Sequence, residues 1–341
     1  MIELIGLILL WFGIYYIVSS SLNLEFGYAG IPNFGKALSV LVGAIAVGGI
    51  LNRLLILYFN TKGSLVEAST YAVSNINQII AHDPLMGFLI LIASIILAVI
   101  CGMIVGAIFI LPSAKLKEDY LGVTLLAISE TIFLISIYDL NIVGGYFGLS
   151  VPDVLAFIPG DLRLWAFIGI VLFMAFLVYL FFERLLNTPF GRVLKAMREN
   201  DNTVKAFGRD IMMLRIKAMA IGSGVGAIAG ALYVLYTANI VANSFTRTEW
   251  TFFPFLMVLL GGKGNNKGII VGTLIYVIFK VLLDYYKYDI KNLLHIPFEP
   301  VWFSYILFGV IMLLILYYKP DGLLPEGPVL TPPVKKYLKK N

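Results

Sequence analysis

Residues 164–182, "LWAFIGIVLFMAFLVYLFF", run for nineteen positions without a charge. Comparable apolar blocks fall near 4–22, 37–58, 85–111, 121–139, 216–239, 268–286 and 301–318, with a shorter one at 252–262. About 20 apolar residues in an α-helix cross a hydrocarbon layer of roughly 30 Å. In lipid every backbone polar group needs an internal partner, so only helices and closed barrels span. The runs are continuous and do not alternate as barrel strands do, which selects helices. Composition agrees: 60% of the 341 residues are hydrophobic and 13% charged, against about 25% charged in soluble domains. The first block carries only Glu3 as an early charge and is long enough to span, so it reads as a membrane helix and not a cleavable signal. The single cysteine, Cys101, lies in an apolar block, forms no internal disulfide and reads as a small core residue.

Charge placement sets a topology. Residues 183–217 hold eight Lys or Arg against four acids, and five more Lys follow from Lys319 onward. Basic loops beside spanning helices favour the cytoplasmic side. The net charge of +5 is therefore a topology signal and not a nucleic-acid footprint. With 183–217 inside, the loop "PSAKLKED" carrying Lys115 and Lys117 also falls inside, as does the C-terminal tail if 252–262 and 268–286 both cross or both turn back; the N-terminus then falls outside, and an extra crossing at 26–36 would put it inside. Arg53 and Lys62 run against the rule. Residues 59–84 then form an outer loop. Within it Leu65, Ala68, Ala72, Ile76, Ile79 and Ile80 make a helical stripe, which suits an interfacial helix. Residues 287–300 are expected along the same surface.

Two stretches interrupt the pattern. "FGYAGIPNFGKA" holds Gly27, Gly30, Pro32 and Gly35, and "GGKGNNKG" holds Gly261, Gly262 and Gly264. Gly and Pro break helices and favour turns. The expectation is an all-α polytopic bundle of about eight to ten membrane helices, broken or re-entrant near 26–36 and 252–268, with 252–286 as two short helices around a turn. Residues 1–325 read as one transmembrane domain, with an inner loop at 184–215 and a basic tail at 326–341. Gly222, Gly226 and Gly230, spaced by four, suit close helix packing.

Much chemistry is excluded. No G-x-x-x-x-G-K-[ST] phosphate loop occurs, so the chain has no ATP site of its own. His82 and His295 stand alone, without paired ligands for a metal. There is no G-x-S-x-G elbow. Glu130 lies in the middle of "GVTLLAISETIFLISIY". A mid-membrane carboxylate faces the bundle interior or a wet cavity. Two readings stand for it, a translocation-pathway residue and a buried hydrogen-bonding anchor. Lys280 and Asp284 stand at a spacing that pairs side chains on a helix.

"FGRVLKAMRENDNTVKAFGRD", 190–210, is the densest charged stretch. Phe190, Val193, Met197, Val204 and Phe207 form an apolar face, interrupted at Asn200 and Asp201. Two short amphipathic helices follow from this, with Asp201 or Asn202 placed to cap the second and Gly208 to end it. The mix of acids and bases suits a protein docking element, whereas a uniformly basic face would suit anionic lipid.

Here the residues carry a family resemblance. Gly191, Arg192, Ala196, Arg198, Glu199, Ala206 and Gly208, followed by "AGAL" at 229–232, resemble the LivM-type permease subunits of ABC transporters for branched-chain amino acids. "LNLEFGYAGIPNFGKA", "DYLGVTLLAISETIFL" with Glu130, "VGGYFGLSVP", "VLLGGKGNNKGIIVG" and "YKPDGLLPE" resemble further blocks of that family, in the same order. Lys36 stands where the family commonly has His, and "NN" follows the glycine turn where Ser is common. The resemblance implies an ATP-driven importer in the cell membrane. Its partners are a second permease of LivH type, two cytoplasmic ATPases that bind ATP and Mg, and an extracytoplasmic solute-binding protein. It also implies that Arg198, Glu199, Asn200, Asp201, Ala206, Phe207 and Gly208 meet an ATPase. The alternatives are a secondary transporter driven by an ion gradient, which needs midplane charged pairs, and a scaffold without transport.

Overall fold

A computed structural model describes residues 2–113, 115–116, 118–160, 162–294 and 300–327. Lys117, His295 and the tail beyond residue 327, which the sequence reading placed in loops, lie outside the described residues.

Helix α1 (Ile2–Leu22) runs into a π-helical turn at Asn23–Tyr28. The chain stays non-helical until α2 (Lys36–Ile45), so the expected break at 26–36 is present. A second π turn, Ala46–Leu51, joins α2 to α3 (Asn52–Phe59). Helix α4 (Leu65–His82) starts with a capping box in which Ser64 and Glu67 satisfy each other's backbone N–H. Its buried face holds Ala68, Ala72, Ile76 and Ile80 of the expected stripe, together with Ser69 and Val73.

Helices α5 (Pro84–Ile110) and α6 (Glu118–Tyr138) follow, then a single turn α7 (Leu140–Val143) and the two-residue β1 (Leu149–Ser150). After α8 (Leu162–Leu186) come the short α9 (Pro189–Glu199) and α10 (Asp201–Ala206). Helix α11 (Ile211–Thr237) leads to β2 (Asn239–Ile240), which pairs antiparallel with β1. A π turn at Thr248–Phe252 opens α12 (Phe253–Gly261), and α13 (Asn266–Leu294) and α14 (Pro300–Tyr318) complete the chain.

Seven helical segments are long and apolar enough to cross a membrane, and Thr248–Gly261 and Tyr305–Tyr318 are shorter apolar helices, among the described residues. The chain is a multi-pass helical membrane protein. One expectation changes: the glycine turn does not separate two short helices, because α13 continues for 29 residues.

Helix α11 is the centre of the bundle. Its small residues let neighbours approach closely: Gly102 and Gly106 of α5 lie against Ser223 and Gly224, and Gly230 lies against the Val40 carbonyl of α2. The outer faces of α5 and α8 are the opposite. They expose Ile92, Ile96 and Ile100, and Phe173 and Phe176, as a helix facing hydrocarbon does. Arg53, which runs against the charge rule, donates to the carbonyls of Gly49, Asn141 and Ile142 and so is held by the protein.

Candidate functional site

Leu116, the segment 187–210 with its two short helices, the turn at 262–265 and the segment 319–327 gather at one end of the bundle, and there the interruptions of the helices meet. Asn23 links two of them. Its Oδ1 accepts from the Gly264 N–H at 2.9 Å, and its amide donates to Asn266 Oδ1 at 3.4 Å. The Asn266 amide donates in turn to Glu183 of α8 at 3.2 Å. The chain segment after α14 closes this end. The N–H groups of Leu323 and Leu324 bond the carbonyls of Leu260 and Gly261, and the Asn265 amide donates to the carbonyls of Leu324 and Pro325. The "NN" that departs from the common Ser therefore braces the turn on both sides. Gly262, at φ +113°, sits directly against the Leu324 backbone, so no side chain fits there.

The α9–α10 pair docks on this platform. Gly191, Leu194, Met197 and Val204 face inward, while Phe190 and Val193 are half-buried. Asn200 caps α10 through its side chain, at 2.9 Å and 3.2 Å from the N–H groups of Asn202 and Thr203, so the cap is one residue earlier than Asp201. The helix ends at Ala206, and Gly208, at φ +73°, turns the chain just after its cap, the stop expected there.

The residues expected to meet a partner divide into two groups. Arg198 and Asp201 tie the pair to the bundle, while Asn200 joins its two helices. Arg198 donates to the Gly27 carbonyl and pairs with Glu326 at 2.8 Å and Glu199 at 3.0 Å. Partial burial opposes the Arg198 charge, but the carboxylates of Glu326 and Glu199 more than offset this and raise its pKa above the ordinary arginine range. Lys195 also reaches Glu326, at 2.7 Å. Asp201 pairs with Arg215 of α11 at 2.8 Å, and Arg215 donates to the Leu116 carbonyl. Glu199, Ala206, Phe207 and Gly208 face outward, and Phe207 is 80% exposed. Open clefts of about 720 Å³ and 750 Å³ flank Arg198 and Glu199.

The remaining glycines serve close approach. Gly27 lies against Gly264 and Asn23, Gly30 against Arg198, and Gly35 against the Leu125 carbonyl of α6. Gly261 lies against the Gly268 carbonyl.

Deeper in the bundle are three ion pairs with different settings. Glu25 and Lys36 bracket the first break at 2.8 Å, both with 0% side-chain exposure. The Asn33 amide donates to the second Glu25 oxygen at 2.8 Å, and Lys36 donates to the Gly222 carbonyl at 3.2 Å. A side chain at Gly222 would collide with the Glu25 carboxylate, and Gly226 lies beside Lys36 and Ser39. The α11 glycine stripe is thus partly a slot for a buried ion pair.

The second pair replaces the expected one. Lys280 pairs with Glu249 at 2.6 Å, and not with Asp284. Tyr15 donates to the same Glu249 oxygen at 2.6 Å, and the Lys280 ammonium lies 5.1–5.6 Å from the rings of Phe253, Tyr15 and Trp11. The third joins Glu130 to Arg247 at 3.9 Å, with side-chain exposures of 34% and 51%. Glu130 is therefore not sealed as a fully buried anchor. Glu249 and Arg247, neither singled out from the sequence, stand at the edges of a π turn, where local pattern carries no sign of either partner.

Comparisons with known proteins match this architecture. A family model described as the branched-chain amino acid transport system permease component matches residues 4–316. The chain is 74% identical over 335 residues, covering 98% of it and 97% of the relative, to the "Probable branched-chain amino acid transport permease protein LivM" of Methanocaldococcus jannaschii. It is 24% identical over 240 residues to the "High-affinity branched-chain amino acid transport system permease protein LivM" of Escherichia coli, covering 63% of this chain and 52% of that protein. The protein of the same description from Salmonella typhimurium matches to the same extent. No solved structure matches. With nearly the whole chain covered and the helices in place to carry it, the protein belongs to the family of branched-chain amino acid transport permease components.

Proposed function

We propose that this chain is one of two permease subunits of an ATP-driven importer of branched-chain amino acids or related small solutes. A LivH-like permease is its membrane partner. A solute-binding protein delivers substrate on the outer side, and two ATPases that hold ATP and Mg act on the inner side. The end carrying α9 and α10 is cytoplasmic, in keeping with its basic loops, and the N-terminus lies outside.

The observation that carries this reading is the form of the α9–α10 pair. It is anchored by Arg198 and Asp201 yet presents Glu199, Ala206, Phe207 and Gly208 outward. An exposed aromatic on a braced helix pair is the kind of group that anchors an interface. Through Arg198 the pair grips the Gly27 carbonyl and the Glu326 strap. A push on α10 therefore reaches both broken segments as a rigid-body displacement.

Phe207→Asp with Ala206→Arg should lower recovery of the ATPases by about tenfold or more when the permease is captured from membranes. The permease should remain folded, because both side chains are exposed. Undiminished ATPase recovery would remove this docking assignment. The reading of an ion-gradient transporter requires uptake by the purified chain alone in liposomes.

A further inference from the structure

Glu130 is eleven residues from one end of the Asp119–Tyr138 span and eight from the other. At 1.5 Å per residue it sits about 16 Å and 12 Å from the two ends, near the middle of the membrane. Arg247 faces it from the segment just before α12. Exposed charges at that depth are costly against lipid, so this face borders protein or water in the working assembly.

The pair differs from the other two in how little holds it. Glu25–Lys36 and Glu249–Lys280 close at 2.8 Å and 2.6 Å. Each has further hydrogen-bond partners, Asn33 and the Gly222 carbonyl for one and Tyr15 for the other. Glu130 and Arg247 approach only to 3.9 Å. Among the described residues they make no other polar contact. On the same face Ala127 and Thr131, a small and a polar residue, are exposed beside the apolar Leu134, and Asn243 is exposed on the neighbouring strand-to-helix connection.

We infer that Glu130 and Arg247 together form a transient site for an amino-acid zwitterion in transit. The carboxylate of Glu130 receives the α-ammonium, and the guanidinium of Arg247 receives the α-carboxylate, which matches its planar fork. A zwitterion inserted between two opposite charges satisfies both and leaves no net charge at mid-membrane. The loose contact between the pair suits it to the task, because a tight pair would have to be broken before substrate entered. The slack also limits binding strength, as passage requires release as well as entry. This assignment rests on the transport reading above.

The test uses the complete transporter, with its second permease, ATPases and binding protein, in proteoliposomes with radiolabelled leucine and other amino acids. The double variant Glu130→Gln with Arg247→Gln keeps a polar side chain on each side of the gap but removes both charges. Uptake per ATP hydrolysed should fall about tenfold or more, the worth of a hydrogen bond to a charged group. Assembly and ATPase stimulation by loaded binding protein should be unchanged. Wild-type uptake by the double variant would overturn the inference while leaving the transport reading intact. Absence of uptake by the wild-type complex for every amino acid would overturn both. If the double variant does not assemble, Arg247→Lys reads the same quantity: lowered uptake per ATP supports the site and unchanged uptake overturns it. Failure of both variants to assemble marks a structural brace and overturns it as well.

Discussion

Glu25–Lys36 and Glu130–Arg247 are both ion pairs with at least one charge in a membrane-spanning segment, and they behave as opposites. The first has no exposure, short contacts and neighbours for its remaining oxygens and protons. The second is half-exposed, long and unsupported among the described residues. Burial raises the cost of every uncompensated charge, so a sealed pair is fixed by its surroundings and tolerates no partial loss. An open pair keeps hydration within reach and can exchange one partner for another. Charge inside a membrane thus serves two ends in one chain, holding a broken helix in place and receiving a charged visitor.

The strongest break of this contrast is Lys36→Met alone. It leaves Glu25 buried and unpaired, at a cost of about 3–5 kcal/mol. Thermal unfolding of the detergent-purified permease should show a large loss, and replacing Glu25 by Leu in the same chain should recover most of it. Equal stability of the single variant and wild type would show that the pair is not sealed. Gly222→Ala comes next, at about 1–3 kcal/mol, because the added methyl enters the space of the Glu25 carboxylate. The sign is informative: without that collision Gly→Ala in a helix stabilises by up to about 1 kcal/mol. Smallest is Glu130→Gln, expected to shift stability by no more than about 0.5 kcal/mol, as at a surface site. An unfolding loss comparable to that of Lys36→Met would place Glu130 in the sealed class and end the distinction.

The sequence carried more of the fold than of the site. Long apolar runs declared the helices, and Gly27, Gly30, Gly35, Gly262 and Gly264 declared the breaks. The α9–α10 pair was readable from its interrupted apolar face, to within one residue of its cap. Charge partners were not readable. Lys280 has an acid four residues away in Asp284, yet pairs with Glu249 across a helix boundary. Glu130 and Arg247 are separated in the chain by two whole spanning segments, Leu162–Leu186 and Ile211–Thr237. Helical periodicity reports which residues share a face of one element, and it is silent on which faces meet. The division of 198–208 into bracing and outward groups was hidden for the same reason, since Glu326 and Arg215 lie on other elements.

The Arg198–Glu326 contact has a consequence for how the protein is made. Every described helix precedes Glu326 in the chain, so translation delivers this carboxylate after all of them. Until it emerges, Arg198 and Lys195 lack their shared acid and the glycine turn lacks its backbone partners at Leu323 and Leu324. A chain that has not yet reached Glu326 can insert its helices and pack α9 against them, but lacks the carboxylate that holds the Lys195 and Arg198 side chains. The order of synthesis itself thus delays a finished docking face until the membrane domain behind it is complete.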